Sequence, residues 1–443
     1  MPRTLFGTDG VRGVAGEFVT AELALALARA ATERLEVDAP RALIIRDTRE
    51  SGEMLEAAVA AGVAAAGGEA LLGGVLPTPG APLLIERYGF DLGVVLSASH
   101  NPYRDNGIKF FGGDGFKLSD ETEHEIEAAL DDTGRWQGRN GHVGRVRPLH
   151  GALEDYVRAL HERFGGLDLT GKRIALDCAN GSTHRAAPEI FRRLGADVDV
   201  LADAPDGRNI NAGCGSTHVE VLAAHVRDGG HDAGFAFDGD GDRVLAVDRH
   251  GAVVDGDELI ALAALHLRKA GRLPGGGVAV TVMTNYGFHT AMRDAGVQVA
   301  TTAVGDRYVL QALREREWGL GGEQSGHIID MNFVPSGDGV AAALLTMEAL
   351  AGGDLADRGA MDKLPQRLVN VRLADRTALA EAVEAVEGLV AEASDELAGR
   401  GRVLVRSSGT EPLVRVMAEA PTAEEADAVC ARLAAAVEDH GRA

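Results

Sequence analysis

The sequence predicts three related α/β domains followed by a smaller C-terminal α+β domain. Three observations carry this. Short apolar runs alternate with alanine-rich stretches of helical period, and the alternation occurs three times. A polar loop follows an apolar run at the corresponding point of each repeat. The last part of the chain abandons that rhythm for a strand, a long helix, two strands and a closing helix.

In the first repeat, 42–45 reads as a strand, 54–66 as a helix, 71–72 as the next strand and Leu92–Leu96 as a third. The second runs through strand Arg173–Asp177, helix 186–194, strand Asp197–Leu201, helix 219–226 and strand Ala233–Phe237. In the third, strand 278–282 precedes a helix at 288–294, a strand at 297–301, a helix at 308–316 and a strand at 318–320. The closing domain is expected as strand 368–373, one helix over 378–397, strands 403–405 and Leu413–Glu419, and a last helix. Thr422 and Glu425 have the spacing of a capping box at the start of that helix. The domains are expected at 1–150, 151–252, 253–366 and 367–443.

The 443 residues include 44 basic and 67 acidic ones, a net charge of -23, so a polyanion would meet repulsion and no nucleic-acid partner is expected. Cys178, Cys214 and Cys430 are widely spaced and form no CxxC pair, which argues against a zinc ribbon or a disulfide framework. No apolar run reaches the roughly 18 residues of a membrane span, so the expected setting is soluble and cytoplasmic, without a membrane partner. Only five lysines occur (109, 117, 172, 269 and 363), which draws attention to a lysine inside a motif, as Lys109 is in NGIKFF.

In open α/β sheets ligands bind beyond the carboxyl ends of the strands. Three loops occupy that position: SASHNP (97–102), DGDGDR (238–243) and GEQSGH (322–327). In DGDGDR, glycines let the backbone curl so that Asp238, Asp240 and Asp242 converge. Three hard carboxylates select Mg²⁺ or Ca²⁺. An EF-hand counted from Asp238 fails, because its sixth and twelfth places hold Arg243 and Arg249. SASHNP offers two serines and a histidine, but neither a GxSxG elbow nor a Walker loop accompanies it. RSSGTEP (406–412) supplies a guanidinium, three hydroxyls and a glycine, with Arg415 three residues beyond, which are the parts of a phosphate cradle. GTDGVRG (7–13) adds Arg12, and RDTRESG (46–52) adds Arg46 and Arg49, both readable as plain turn chemistry. Glu323, Ser325 and His327 occupy GEQSGH, where a carboxylate and a hydroxyl suit sugar hydroxyls.

GTDGVRG, SASHNP, DGDGDR, GEQSGH and RSSGTEP, in this order across nearly the whole chain, resemble the α-D-phosphohexomutase superfamily. GEQSGHII, AVGDRYVL (303–310) and CGSTH (214–218) resemble its branch acting on glucosamine phosphate more than those acting on mannose or glucose phosphates. Gln324, where a phosphomannomutase tends to show methionine, agrees.

The resemblance implies four domains with mixed sheets around a central cleft, and conversion of glucosamine 6-phosphate into glucosamine 1-phosphate on the way to UDP-N-acetylglucosamine and the cell wall. It implies that Ser99 is phosphorylated and that glucosamine 1,6-bisphosphate is intermediate and activator. One Mg²⁺ per active site would be held by Asp238, Asp240, Asp242 and Ser99 through its phosphate. It further implies that Arg406, Ser407, Ser408, Gly409, Thr410 and Arg415 hold the non-reacting phosphate, and that Glu323, Ser325 and His327 bind the sugar. Lys109 and His100 are the candidate proton shuttles, and Arg12 and Arg243 steady charge. The partner is a small sugar phosphate, with a second copy of the chain the one protein partner considered. A mannose or glucose phosphate mutase and a non-catalytic sugar-phosphate sensor are the competing readings.

Overall fold

A computed structural model describes residues 5–7, 9–130, 142–373, 378–407 and 412–440. The first sheet contains β1 (Val11–Val14), β2 (Arg41–Arg46), β3 (Glu69–Val75), β4 (Leu92–Leu96), β5 (Asp105–Gly112) and β6 (Val146–Pro148), in the order β1-β5-β4-β2-β3-β6. It is mixed: β4, β2, β3 and β6 run parallel, and β5 is antiparallel to both β1 and β4. Its helices are α1 (Ala21–Glu33), α2 (Ser51–Ala65), α3 (Gly80–Tyr88), α4 (Asp120–Leu130) and α5 (Ala152–Phe164). Leu43, Ile44, Ile45, Val94, Val95 and Leu96 are fully buried. Strands covered on both faces read as unbroken apolar runs, which is why β2 and β4 are visible in the sequence.

The second sheet has the order β11-β10-β9-β7-β8, with β7 (Arg173–Asp177), β8 (Asp197–Leu201), β9 (Ala233–Phe237), β10 (Val244–Asp248) and β11 (Val253–Val254). It carries α6 (Thr183–Arg193) and α7 (Val219–Gly229), and α8 (Gly256–Lys269) follows, opened by a capping box between Asp255 and Glu258. The third sheet, β13-β12-β14-β15, comprises β12 (Gly277–Thr281), β13 (Gln298–Thr302), β14 (Leu320–Gly322) and β15 (Ile328–Asp330). Around these in sequence lie α9 (Tyr286–Asp294), α10 (Asp306–Arg316) and α11 (Gly339–Leu350). The last sheet is antiparallel, β16-β18-β17, from β16 (Gln366–Arg372), β17 (Arg402–Ser407) and β18 (Leu413–Glu419), with α12 (Ala378–Ala385), α13 (Glu387–Glu396) and α14 (Ala423–His440). Three mixed or parallel α/β layers and an antiparallel α+β layer are the architecture the sequence predicts.

The chain divides into two compact units, one formed by residues up to 282 with 300–358, the other by 283–299 with 359 onward. In the second unit, α9 is tied to the C-terminal segment. Buried Asn285 accepts from Leu364 N and donates to Leu364 O (3.0 Å each), and Tyr286 N donates to Glu419 Oε2 (2.7 Å).

Two local expectations change. The single helix over 378–397 is two helices, because the chain leaves helical geometry at Val386 (φ -99°, ψ 0°), whose side chain is fully buried in that unit's core. Half of the capping box on α14 forms: Glu425 N donates to Thr422 Oγ1 (3.2 Å), while the Glu425 carboxylate accepts from Arg400 (3.0 Å). Among the described residues no helix is long and apolar enough to cross a membrane.

Asp338 caps α11 by accepting from Ala341 N (2.9 Å) and also accepts from Tyr156 Oη (2.9 Å). Both side chains are buried, and burial pushes the Asp338 carboxyl up to about 7. The folded state thus holds this proton more tightly than the unfolded chain, where aspartate titrates near pH ~4. The contribution of Asp338 is present below about pH 4 and is lost as pH rises towards about 7. Asp338→Asn keeps the acceptor and removes the titration. Its unfolding free energy relative to wild type should rise by about 2–3 kcal/mol between about pH 5 and about pH 8; a difference flat across this range, measured by denaturant unfolding, would refute the assignment.

Candidate active site

SASHNP leaves the carboxyl end of β4, DGDGDR that of β9, and GEQSGH that of β14, so the strand-end placement expected from the sequence is observed. Backbone bonds fix the DGDGDR loop and the residue after it to neighbouring segments. Thr78 N donates to Asp240 O (2.8 Å), Ser182 N to Gly239 O (2.8 Å), Val244 N to Gly326 O (3.1 Å) and Gly339 N to Gly241 O (2.9 Å). Gly239 is required here: a Cβ would lie 2.7 Å from the Ser99 carbonyl oxygen.

Ser99 is buried, and its φ of 53° is left-handed, a conformation costing a non-glycine residue about 1–3 kcal/mol. Its Oγ donates to Asp238 Oδ2 (2.6 Å) and lies 3.3 Å from His100 Nδ1. What holds this strained residue is Arg49, fully buried after β2. Its guanidinium donates to the carbonyls of Ser99, Asn101 and Asp105 (2.9 Å each) and of Pro102, and its Nε to Asp47 Oδ2 (2.8 Å). Asp47 in turn accepts from Ser97 Oγ (2.6 Å), which accepts from Ser99 N (2.9 Å). Burial raises the Asp47 carboxyl against the opposing pull of Arg49 and Ser97. Asn211, just before CGSTH, donates to the Ser99 carbonyl as well (2.9 Å).

Asp238, Asp240 and Asp242 are all buried, with one carboxylate oxygen from each lying within 4.8 Å of the others. Burial, then the charges of Asp242 and Asp240, push the Asp238 carboxyl well above the usual range. Asp240 Oδ2 accepts from Thr78 Oγ1 and Lys109 Nζ (2.8 Å each), and Lys109 Nζ also stands 3.2 Å from Asp9 and 3.6 Å from Asp242. Burial favours the neutral amine of Lys109, but Asp240, Asp9 and Asp242 overcome it and raise its pKa. Asp9 is shared with Lys117 and Arg12, and Lys117 also pairs with Asp306. Asp240 Oδ1 and Asp242 Oδ1 remain buried without a hydrogen-bond donor. Orphaned oxygens in a cluster of three buried carboxylates fit a hard divalent cation of the Mg²⁺ or Ca²⁺ type.

The other predicted residues fall around this centre. Arg243 N donates to Asp238 Oδ1 (3.2 Å), and its Nη1 is 3.3 Å from His100 Nδ1. His100 is half-buried; burial and then the charges of Arg243 and Arg12 lower its pKa, which keeps the ring neutral. Glu323 is half-buried and accepts from Gly305 N (3.0 Å), whereas Ser325 is exposed. His327 is buried beneath the loop: Gly337 N donates to its Nε2 (3.2 Å), leaving Nδ1 to face Asp242 Oδ1 at 3.6 Å.

In the second unit, Arg406 on β17 and Arg415 on β18 are direct cross-strand partners. Like charges opposite one another repel, and among the described residues neither has an ion pair within 4 Å. Ser407 ends β17 and is exposed; Ser408, Gly409 and Thr410 lie outside the described residues. Sequence reasoning passed over Asp9, Asp47, Thr78, Lys117 and Asn211 and left Arg49 as turn chemistry. The scarcity of lysine was a usable signal for Lys117.

Comparison with known proteins places these observations in context. Residues 3–135, 154–251 and 255–368 match alpha/beta/alpha domains I, II and III of phosphoglucomutase/phosphomannomutase, and 368–436 match its C-terminal domain. The phosphoglucosamine mutases of Moorella thermoacetica and Desulforudis audaxviator are each 50% identical to this chain. The first match covers 97% of the chain and 98% of the relative, the second 94% of both. A crystal structure of a phosphoglucomutase/phosphomannomutase family protein from Burkholderia thailandensis shares the fold, with a TM-score of 0.83 and 24% identity over 98% of this chain and 97% of that one.

Arg49→Lys tests the support of the Ser99 loop. A lysine can satisfy only some of the carbonyls that the guanidinium fork binds, so the variant should lose about 2–4 kcal/mol of stability. Amide exchange in 97–105 should accelerate at least about tenfold while β2 and β4 stay protected; unchanged exchange in that segment would show that Arg49 does not hold it.

Proposed function

The chain belongs to the phosphoglucomutase/phosphomannomutase family and, within it, to the phosphoglucosamine mutases, and we propose that it interconverts glucosamine 6-phosphate and glucosamine 1-phosphate through a phosphoserine at Ser99. The observation that carries the serine's role is its Oγ, 2.6 Å from Asp238 in a loop of buried carboxylates whose free oxygens await a cation. In this reading phosphorylated Ser99 gives its phosphoryl group to the sugar's O1, and the 1,6-bisphosphate reorients. Ser99 Oγ then takes the 6-phosphoryl group, which releases the 1-phosphate and restores the phosphoserine.

Asp238, Asp240 and Asp242, with Ser99 through its phosphate, would hold Mg²⁺, which when bound supplies electrostatic stabilisation of the transferring group. The strained backbone at Ser99, fixed by Arg49 and Asn211, aims Oγ at the reacting phosphorus, a positioning effect of the kind phosphoryl transfer depends on. Lys109, fully committed to Asp240, Asp9 and Asp242, balances charge. His100 is neutral, half-buried and next to Ser99 Oγ, which suits it to move the proton of the sugar hydroxyl. Arg243 and Arg12 offset charge at the transferring group. We assign Glu323 and Ser325 to the sugar hydroxyls, and give His327 the task of orienting Asp242 in place of the sugar contact expected for it. Arg406 and Arg415, without an ion pair among the described residues, hold with Ser407, Ser408, Gly409 and Thr410 the phosphate that is not reacting, since guanidinium forks bind phosphate bidentately. A cytoplasmic setting keeps the three buried thiols reduced, and the product leads towards UDP-N-acetylglucosamine.

Intact-mass measurement should show a gain of about 80 Da mapped to the Ser99 peptide, lost in Ser99→Ala along with a thousandfold or more, roughly, of the turnover. A fully active Ser99→Ala would place the nucleophile elsewhere. Among the 6-phosphates of glucosamine, glucose and mannose, kcat/KM should be highest for glucosamine 6-phosphate; a preference for either neutral sugar would overturn the substrate assignment.

A further inference from the structure

A second group of metal-ligating side chains lies at the other end of β9 from the carboxylate loop. His231 precedes that strand and Asp238 follows it, roughly 20 Å apart along extended chain. Asp199 projects from β8, the edge strand of its sheet; His225 lies on α7, and His231 in the turn after α7. One ligand atom of each lies within 4.8 Å of the others. His225 Nε2 is 2.7 Å and His231 Nε2 3.4 Å from Asp199 Oδ2, and the two imidazoles face one another with centroids 4.9 Å apart and a 31° tilt.

His231 is the independent observation. Its side chain is 2% exposed, yet neither ring nitrogen makes a well-directed hydrogen bond among the described residues, Nε2 having only the 3.4 Å approach to Asp199. A buried imidazole whose nitrogens lack directed hydrogen bonds is costly, so such a group calls for a ligand. The space for its ring depends on Gly229, where a Cβ would stand 2.5 Å from His231 Cε1. Bonds of about 2.0–2.2 Å in a tetrahedral zinc site set neighbouring donor atoms roughly 3.4 Å apart. The Asp199–His231 spacing already matches this, and the Asp199–His225 spacing needs to open by less than 1 Å.

We propose that Asp199, His225 and His231 form a second cation site, for a zinc-class divalent ion. Two imidazoles and one carboxylate suit such an ion and not Mg²⁺, which prefers oxygen donors. Half-exposed Asp199 leaves room for water as the fourth ligand. Bound there, the ion ties the edge strand β8 to the turn between α7 and β9.

Chelator-treated full-length protein, titrated with Zn²⁺ in the presence of excess Mg²⁺, tests this. Wild type should bind one Zn²⁺ that raises its Tm, and Co²⁺ at the same site should give the visible absorption of a tetrahedral ion. His225→Ala and Asp199→Asn alter partly exposed positions and so avoid the folding risk of His231→Ala. Each should weaken the Zn²⁺ event by about a hundredfold and abolish the Tm rise while mutase activity stays unchanged. No Zn²⁺ event in wild type would overturn the proposal, as would an event that persists in both variants and therefore lies elsewhere, or one lost only when Asp240 or Asp242 is replaced.

Discussion

Three carboxylates gathered out of water are the constraint around which the first unit is organised. Isolated buried anions cost many kcal/mol, and adjacent ones cost more. The chain answers with cations drawn from distant places in sequence: Lys109 from β5, Arg12 from β1, Lys117 after β5 and Arg243 from the loop itself. Asp9 links the first three of these, so the amino-terminal loop is part of the same charge balance. Even so, Asp240 Oδ1 and Asp242 Oδ1 stay without donors. The protein lattice thus compensates most of the charge and leaves unsatisfied oxygens where a metal would bind.

A second device holds Ser99 in place. The left-handed backbone at Ser99 would relax in an unsupported loop, and Arg49 prevents it by gathering four carbonyls of 99–105 onto one guanidinium. The planar fork suits this because its donors point in fixed directions. Asp47 anchors the fork and, through Ser97, reaches the Ser99 amide. Strain at position 99 and its support by buried polar contacts are one arrangement, since a strained conformation persists only where its surroundings over-determine it.

The second unit poses the opposite electrostatic problem. Arg406 and Arg415 face each other across β17 and β18 without an acidic partner among the described residues. An anion between them would relieve this repulsion. In a chain with a net charge of -23, the pair is a local concentration of positive potential.

Features that depend on neighbours in sequence were legible directly. Buried strands β2, β4, β7 and β9 read as apolar runs, and the loops that follow strands β4, β9 and β14 announced themselves by composition. The cap between Thr422 and Glu425 was half right, because Arg400 competes for the glutamate. The long helix after β16 was misjudged at Val386, where burial of one apolar side chain outweighs helical continuity.

Local pattern by itself determined the layered class of the fold, the order of the motifs and the chemistry their residue types permit, since period, turn residues and charge are written along the chain. Tertiary structure alone decided that Arg49 supports Ser99, that His327 lies beneath Asp242, and that Asp199 meets two histidines. Arg49 and Ser99 stand 50 positions apart, and Ser99 and the Asp238 it meets 139, and no periodicity encodes which distant groups will share a dry space.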